Sequence, residues 1–565
     1  MFNAVAEKTI ARLLMIGAPL ITLFIVTDTV TDPVNAPKLL LTGSLGFALF
    51  SVFLAFNRRE NIRIFRPLII ALGFFNIFAI TAILASNSPL TQQIYGSYGR
   101  NTGLVAYLSL SFITIGTLNL RDSKSFKSLI YGLQIAGLLN VFYCAWVLAF
   151  GDFLKWSNPY GNILGTFGNP NFISAFLGIF ISSLVAYSFI PGLSNKYRVS
   201  ALVVGVLAFY QVYRSHAVQG IAVTAAGIGI VGFYVLRSKF KSPLVSLGYL
   251  ILFGILGFTA VLGALQKGPF DFIYKRTVSL RGIYWNTAIN MSQEHPFSGV
   301  GLDSYGDWYR RARPLKALTD PGVNTTSNAA HNVPLDLLAS GGWPLFLAYI
   351  ATIIIGAVAI LRVTIRKKSY DGIFVTLAVS WLCYELQSII SINQIGLAVW
   401  GWMLTGALVA YEYSTRVTST VSESTKGRLP RSTKTRSPGI VSPQLVAGIG
   451  IVVGVFVACP PMSADTKWRG AMESQDANRA IDALKPGYFS PSDSQRYAQA
   501  LQIFASSNLI DQAHEIAIAA VEFNPDNYPS WRNLYFLSNS TAEEKAKAYM
   551  NLKRLDPMNP DVIAP

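Results

Sequence analysis

Long apolar runs separated by short polar loops dominate the first four fifths of the chain. A helix needs about 20 mostly apolar residues to cross a bilayer, and many of these runs approach that length. The pattern therefore predicts an all-α, polytopic transmembrane helix bundle with about twelve or thirteen spans. The predicted spans lie near residues 10–28, 37–56, 67–85, 103–120, 128–150, 171–190, 199–213, 220–236, 244–264, 343–361, 373–390, 394–412 and 443–459.

The charged residues fix an expected orientation for this bundle. Loops rich in Lys and Arg face the cytoplasm in membrane proteins, and here they are 58–66, 121–127, 196–198, 237–241 and 366–368. Parity then places the loops 86–102, 151–170, 214–220 and 265–342 on the extracytoplasmic side. Because this rule accounts for most of the formal net charge of +17, no nucleic-acid partner is expected.

Composition divides the chain into four parts. Residues 1–412 are predicted to form the membrane domain, with a large outer loop at 265–342. Residues 413–442 are basic and rich in Ser and Thr, with too little apolar content to fold alone, which predicts a disordered cytoplasmic linker. Residues 443–459 form the last predicted span, and residues 460–565 follow it on the extracytoplasmic side.

The C-terminal part has small and large apolar residues at helical spacing. Its units end in Asn-Pro-Asp or Asp-Pro-Met-Asn-Pro, and it resembles degenerate tetratricopeptide repeats, whose period is about 34 residues. Such helices are expected to offer a surface to a protein partner. The alternative is a plain helical hairpin that packs on the membrane domain.

Residues 280–342, called the polar segment below, gather two of the four histidines and several arginines between apolar runs. Arg281 and Trp285 stand four residues apart in a stretch predicted to be helical until Pro296, so they share one face. A guanidinium offers fixed donors that match phosphate oxygens and keeps its charge when buried. The alternative is an Arg-Trp pair that anchors the segment at the lipid headgroups.

His331 lies at the predicted start of a short amphipathic helix. Asn332 suits the N-cap, Pro334 suits the first turn, and Gly341 and Gly342 suit the end. The positive end of that helix is expected to lower the pKa of the imidazole. A neutral His can then act as a general base toward a hydroxyl, although a His beside a cap also has purely structural roles.

Further polar candidates fall on the same predicted side. Arg310, Arg311 and Arg313 form the densest positive cluster, which suits an anionic headgroup or a diphosphate, or a solvated loop. The other candidates, Arg100, Arg214 and Asn169, border membrane spans. An arginine at the edge of a span is energetically costly and usually functional. Asn169 also fits a helix cap. Motifs for metal or nucleotide-cofactor binding are absent from the sequence, so neither metal nor cofactor is expected.

Four motifs taken in order resemble the O-antigen ligase and polymerase superfamily over about residues 60–412. They are GRNTG, GTFGNPNF, the R-x-x-x-W helix followed by PFSGVGLDSY, and HNVPLDLLASGGWP. The resemblance implies a multi-pass glycosyltransferase of the bacterial cytoplasmic membrane with an extracytoplasmic active site. Its donor would be a glycan on undecaprenyl diphosphate or a similar polyprenyl carrier, and its acceptor a lipid, a glycan or a protein.

The resemblance also implies roles for individual residues. Arg281 would bind the donor diphosphate, and His331 would activate the acceptor or assist the leaving group. Arg100 and Arg214 would add phosphate contacts, although this chain has Ser215-His216 where many members have Ser-Arg. The sequence leaves open whether the enzyme is a ligase or a repeat-unit polymerase, and the alternative from another class is a polysaccharide or lipid transporter or flippase.

Overall fold

A computed structural model describes residues 4–57, 59–240, 242–424 and 441–563. Over these ranges the chain forms helices joined by loops, without a β-strand, so the predicted all-α class is confirmed. The helices up to the polar segment are α1 (Ala4–Leu23), α2 (Asn35–Phe56), α3 (Arg59–Ile64), α4 (Arg66–Ala85), α5 (Leu90–Tyr95), α6 (Leu104–Thr117), α7 (Ser123–Phe150), α8 (Pro170–Ser188), α9 (Asn195–Arg214), α10 (Val218–Lys239) and α11 (Pro243–Ala264).

The polar segment and the last spans contain α12 (Arg276–Glu294), α13 (Tyr305–Ala312), α14 (Val333–Arg366), α15 (Gly372–Ile389), α16 (Ile395–Ser424) and α17 (Pro443–Ala458). The C-terminal helices are α18 (Pro460–Ser474), α19 (Ala477–Leu484), α20 (Ser494–Ser506), α21 (Ile510–Phe523), α22 (Tyr528–Phe536), α23 (Ala542–Leu555) and α24 (Pro560–Ile563). Because α16 continues to Ser424, the first part of the predicted linker is helical, and the rest of it to residue 440 lies outside the described residues.

Every predicted span coincides with a helix, but not every one has the length and composition of a membrane span. Among the described residues, nine helices are long and apolar enough, or ten if α17 and α18, bent by 51°, count as one span. Of the predicted spans, α6 falls short because it has only 14 residues. The others that fall short are α1, which contains three charged residues, and α9, whose polar and charged residues lower its mean hydropathy. The protein is a polytopic helical membrane protein, with fewer clear spans than the twelve or thirteen predicted.

The last apolar helix returns to the first part of the bundle, where α17 packs closely against α2. A Cβ added at Gly454 would lie 2.4 Å from the Gly43 carbonyl oxygen, and one at Gly43 would lie 2.5 Å from the Ala458 Cβ. Small residues on both helices thus allow the backbones to approach, a common basis of helix packing in membranes. Since α18 follows α17 directly, this packing determines where the C-terminal helices begin relative to the bundle.

The C-terminal helices have their own apolar core around Trp468, Phe504 and Trp531. They also contact the loops of the membrane domain: the buried Asp465 carboxylate accepts hydrogen bonds from the backbone N–H groups of Thr31 at 2.8 Å and Asp32 at 2.7 Å. They also reach the polar segment, where Arg310 and Arg313 donate to Asp556, so the C-terminal helices and the polar segment lie at the same end of the bundle.

Candidate functional site

The helix of Arg281 and Trp285 forms as predicted. α12 ends at Glu294, just before Pro296, and the four-residue spacing puts both side chains on one face. Arg281 makes neither an ion pair nor a hydrogen bond within the described part of the chain, although it is half-buried. Burial lowers the pKa of its guanidinium. A half-buried cation without a carboxylate partner is suited to binding an anion.

The neighbouring Trp285 has a polar atom without a partner. Its indole Nε1 is buried and makes no hydrogen bond to any described residue. Buried N–H groups in proteins nearly always donate, and those that do not call for an explanation such as a water or a ligand. The helix face with Arg281 thus presents two unsatisfied donor groups.

The start of α14 positions His331. The Asn332 side chain accepts a hydrogen bond from the Leu335 N–H at 3.0 Å, which confirms the predicted N-cap. The helix is interrupted where its end was predicted, at Gly341 and Gly342, and resumes as the membrane-spanning part. His331 itself has a φ of 52°, in the left-handed region, and directs the chain into the cap.

The polar segment has two Gly-rich turns, one at residues 296–301 and one at Gly341 and Gly342, and the first turn supports this interruption. The Trp343 N–H donates to the Pro296 carbonyl at 2.8 Å, and the Val300 N–H donates to the Ala339 carbonyl at 2.9 Å. Gly342 has a φ of 65°, and a Cβ there would lie 2.4 Å from the Pro296 oxygen. These contacts hold the end of α12 against the first turns of α14, so Arg281 and His331 come from two connected elements.

The His331 imidazole lies beside Tyr284, with ring centroids 5.3 Å apart. Burial, together with the positive charges of Arg281 and Arg100, lowers the pKa of His331 to about 4. The expected direction of the shift is confirmed, but its causes are burial and two nearby arginines rather than the end of the helix. His331 is neutral at physiological pH and can accept a proton.

Arg100 lies at the centre of a buried ion-pair network. Its guanidinium contacts Asp336 at 2.8 Å and Asp303 at 3.3 Å, and it donates to the Asn328 carbonyl. Burial alone would lower the pKa of Arg100, but the two carboxylates outweigh this effect and raise it. Two carboxylates already balance the charge of Arg100. It therefore holds the loop before α6, Asp303 and the start of α14 together rather than offering a free cation.

The arginine cluster of the polar segment meets the C-terminal helices. Asp556 accepts from Arg310 at 2.9 Å and from the fully buried Arg313 at 2.7 Å, and Arg311 pairs with Asp526 at 2.9 Å. These pairs join residues more than 200 positions apart, so neither a headgroup contact nor a solvated loop describes the cluster. Any substrate contact by Arg310, Arg311 or Arg313 would have to compete with these carboxylates.

Arg214 and Asn169 make local contacts. The exposed Arg214 donates to the Tyr210 hydroxyl at 2.8 Å. Asn169 caps α8 by accepting from the Asn171 N–H at 2.9 Å, and its amide donates to the Tyr160 hydroxyl at 3.0 Å. The structure does not bring either residue into contact with Arg281 or His331.

Sequence reasoning missed the two carboxylates that hold Arg100. Asp303 follows the Gly-rich turn after Pro296, and Asp336 lies in the first turn of α14, where a carboxylate is common for helix-dipole reasons alone. Asp336 also accepts from the Ala330 N–H at 3.0 Å, beside His331. A carboxylate one turn after the His was the available signal, but its partner lies 236 positions away in sequence.

The region that contains Arg281 and His331 also matches a known family. Residues 203–350 match the family model described as O-antigen ligase, which confirms the resemblance to the O-antigen ligase and polymerase superfamily. The match covers about a quarter of the chain, from α9 into α14, and excludes Arg100 and the C-terminal helices. The search of curated proteins gave no match to this chain.

Proposed function

We propose a specific glycosyltransferase reaction, because residues 203–350 of this polytopic membrane protein match the family model described as O-antigen ligase. The enzyme moves a glycan from a polyprenyl diphosphate carrier to an acceptor hydroxyl or amide on the extracytoplasmic side of the bacterial cytoplasmic membrane. The observation that supports this proposal is the grouping of an unpaired Arg281 with a neutral His331 beside Tyr284.

Arg281 acts on the donor. When the bond between the anomeric carbon and the diphosphate breaks, negative charge builds on the leaving oxygens, and a fixed guanidinium stabilises that charge. Loss of one such preorganised donor typically costs about 2.7–4 kcal/mol of transition-state stabilisation. Because Arg281 has no carboxylate partner among the described residues, its full charge is available to the diphosphate.

His331 acts on the acceptor. Its neutral imidazole takes the hydroxyl proton while the acceptor oxygen forms a bond to the anomeric carbon and the diphosphate leaves with the electron pair of the broken bond. A base with a pKa of about 4 is weak, but the incoming diphosphate offsets the positive charges that lower this pKa. Donor binding therefore strengthens the base at the moment it is needed.

Point substitutions test these two roles. Arg281→Ala and His331→Ala are each expected to reduce glycan transfer in reconstituted vesicles at least about tenfold, while the protein stays in the membrane. Arg276→Ala is the matched control, because Arg276 lies on the same helix but is exposed and paired with Asp320 at 2.6 Å. Wild-type transfer by Arg281→Ala or His331→Ala would refute the proposal.

We assign the reaction to a ligase rather than a repeat-unit polymerase, in keeping with the description of the matching family. The products of a deletion strain distinguish the two. A ligase deletion leaves lipid-linked polymer of normal length and an undecorated acceptor. Loss of the ladder of polymer lengths would instead identify a polymerase.

A further inference from the structure

A polar cavity of about 280 Å³ lies between the polar segment and the C-terminal helices. Helices α5 and α13 and the loops beside them form one side of it, and the starts of α20 and α22 form the other. Its lining is rich in amide, hydroxyl and carboxylate groups, with the rings of Tyr98 and Tyr528 among them. Its volume is close to the lower end of the range of about 300–1,000 Å³ found for ligand sites.

The walls of this cavity are held by hydrogen bonds across the interface. The Asp307 carboxylate accepts from the side-chain amides of Gln92 at 3.0 Å, Asn527 at 3.0 Å and Asn524 at 3.1 Å. Tyr528 packs under the Arg310 guanidinium, whose carbon lies 4.3 Å from the ring centroid. The cavity is therefore built from two separate parts of the chain before any ligand arrives.

Other lining groups have no partner within the part of the chain that the structure describes. The side chains of Gln495, Thr326 and Asn328 line the cavity, are exposed, and make no side-chain hydrogen bond there. An amide both donates and accepts, and a hydroxyl does the same. Together they match a ligand with many hydroxyl groups, each of which also donates and accepts.

The described residues that line the cavity offer an acidic ligand no unpaired cation. The one arginine of the lining, Arg310, is paired with Asp556, and Asp303 is paired with Arg100. Asp307 accepts hydrogen bonds from neutral amides, so its negative charge disfavours an anionic polymer. The lining thus favours an uncharged molecule.

One ion pair links the wall of the cavity to the surroundings of His331. Asp303 lines the cavity and also pairs with Arg100, whose charge lowers the pKa of His331. We propose that the cavity binds a segment of an uncharged oligosaccharide during transfer, and that the C-terminal helices supply one half of this subsite. This inference rests on the proposed glycosyltransferase function, and it assigns both a substrate class and a role for the C-terminal helices.

Saturation-transfer NMR on the full-length protein in lipid nanodiscs tests the inference. The probes are chitotriose and maltotriose as uncharged oligosaccharides and trigalacturonate as an anionic one of similar size. Gln495→Trp fills the cavity from the first turn of α20. Gln502→Trp is the matched control, because Gln502 is exposed on the same helix about two turns away and does not line the cavity.

At least one uncharged probe is expected to give a signal with the wild type and with Gln502→Trp, and Gln495→Trp is expected to abolish it. Trigalacturonate is expected to give none. The inference is overturned if neither uncharged probe binds, if binding survives Gln495→Trp, or if the anionic probe binds as well. Since this readout is binding, its result is separate from that of Arg281→Ala, which tests catalysis alone.

Discussion

The same residue type has opposite roles at two positions of this site. Arg100 is buried between Asp303 and Asp336, whereas Arg281 is half-buried without a carboxylate partner among the described residues. A buried ion pair that loses one partner leaves an uncompensated charge, so Arg100 is tied to stability. A half-buried cation without such a partner is instead suited to binding an anionic ligand, which is the role proposed for Arg281. Sequence alone gives both arginines the same interpretation, because it does not show that Arg100 has two carboxylate partners.

Substitution separates these two roles. Arg100→Ala should destabilise the protein by about 3–5 kcal/mol, since two carboxylates would remain buried without their cation. Arg281→Ala should change the stability little, because no carboxylate of the described residues pairs with it. Thermal unfolding in detergent measures the difference. Equal losses of stability in the two variants would contradict the assignment of Arg100 as a positioning residue.

The lowered pKa of His331 predicts a pH dependence. Burial, Arg281 and Arg100 lower this pKa to about 4, so the imidazole stays neutral and able to accept a proton down to that pH. The kcat/KM of the wild type, which reports the free enzyme, should therefore be independent of His protonation above about pH 5 and fall as the pH drops through about 4. An unperturbed His would give the fall near pH 6.5.

Measurement of kcat/KM for glycan transfer in vesicles between pH 3.5 and 8 checks this profile. Arg281→Lys is the control, because it keeps a positive charge beside the imidazole and should keep the low value. A fall centred near pH 6.5 in the wild type would show that His331 does not act in the protonation state proposed here.

At the scale of elements, the hydrophobic pattern was sufficient to place the helices. Each predicted span coincides with a helix because apolar length is a local property of the sequence. The start of α14 was predictable for the same reason, since the residues that signal it, Asn332 and Pro334, lie close together in the sequence. The partners of Arg100, Arg310 and Arg313 were not predictable in this way, because each ion pair joins residues more than 200 positions apart.

The interruption of α14 is the element that holds the site together. Gly342 has a φ of 65° and a ψ of −169°, a conformation that is essentially restricted to glycine. Gly342→Ala should cost about 1–3 kcal/mol from the backbone alone, with a further cost because its Cβ would lie 2.4 Å from the Pro296 oxygen. The displaced turn should also reduce transfer, because Pro296 follows the helix of Arg281.

Transfer rates and thermal unfolding of Gly342→Ala measure both effects. Gly448→Ala on α17 is the matched control, because a Cβ there meets no atom within 4 Å. The control should keep wild-type transfer and stability. An unchanged Gly342→Ala variant would show that the contact between the two Gly-rich turns is not required.

At the scale of the whole molecule, the proposed catalytic residues and one wall of the proposed oligosaccharide subsite lie in different parts of the chain. Arg281 and His331 both fall within residues 203–350, the region that matches the family model. The C-terminal helices lie outside that region and reach the polar segment through Asp526 and Asp556. Whether these helices form tetratricopeptide repeats stays a prediction, but their packing on the membrane domain gives them a place beside the site.

This division predicts different outcomes for two changes in the C-terminal helices. Asp556→Asn leaves Arg313 buried without its carboxylate, so it should lower the unfolding temperature and loosen the interface. Asp561→Asn, at an exposed position in α24, is the control.

Deletion of residues 465–565 instead exposes Arg313 to water, which solvates its charge. The deletion should therefore raise the KM for glycan, because it removes one wall of the cavity, and keep kcat within about tenfold of the wild type. A loss of kcat as complete as that of Arg281→Ala would show that the C-terminal helices take part in the chemistry itself.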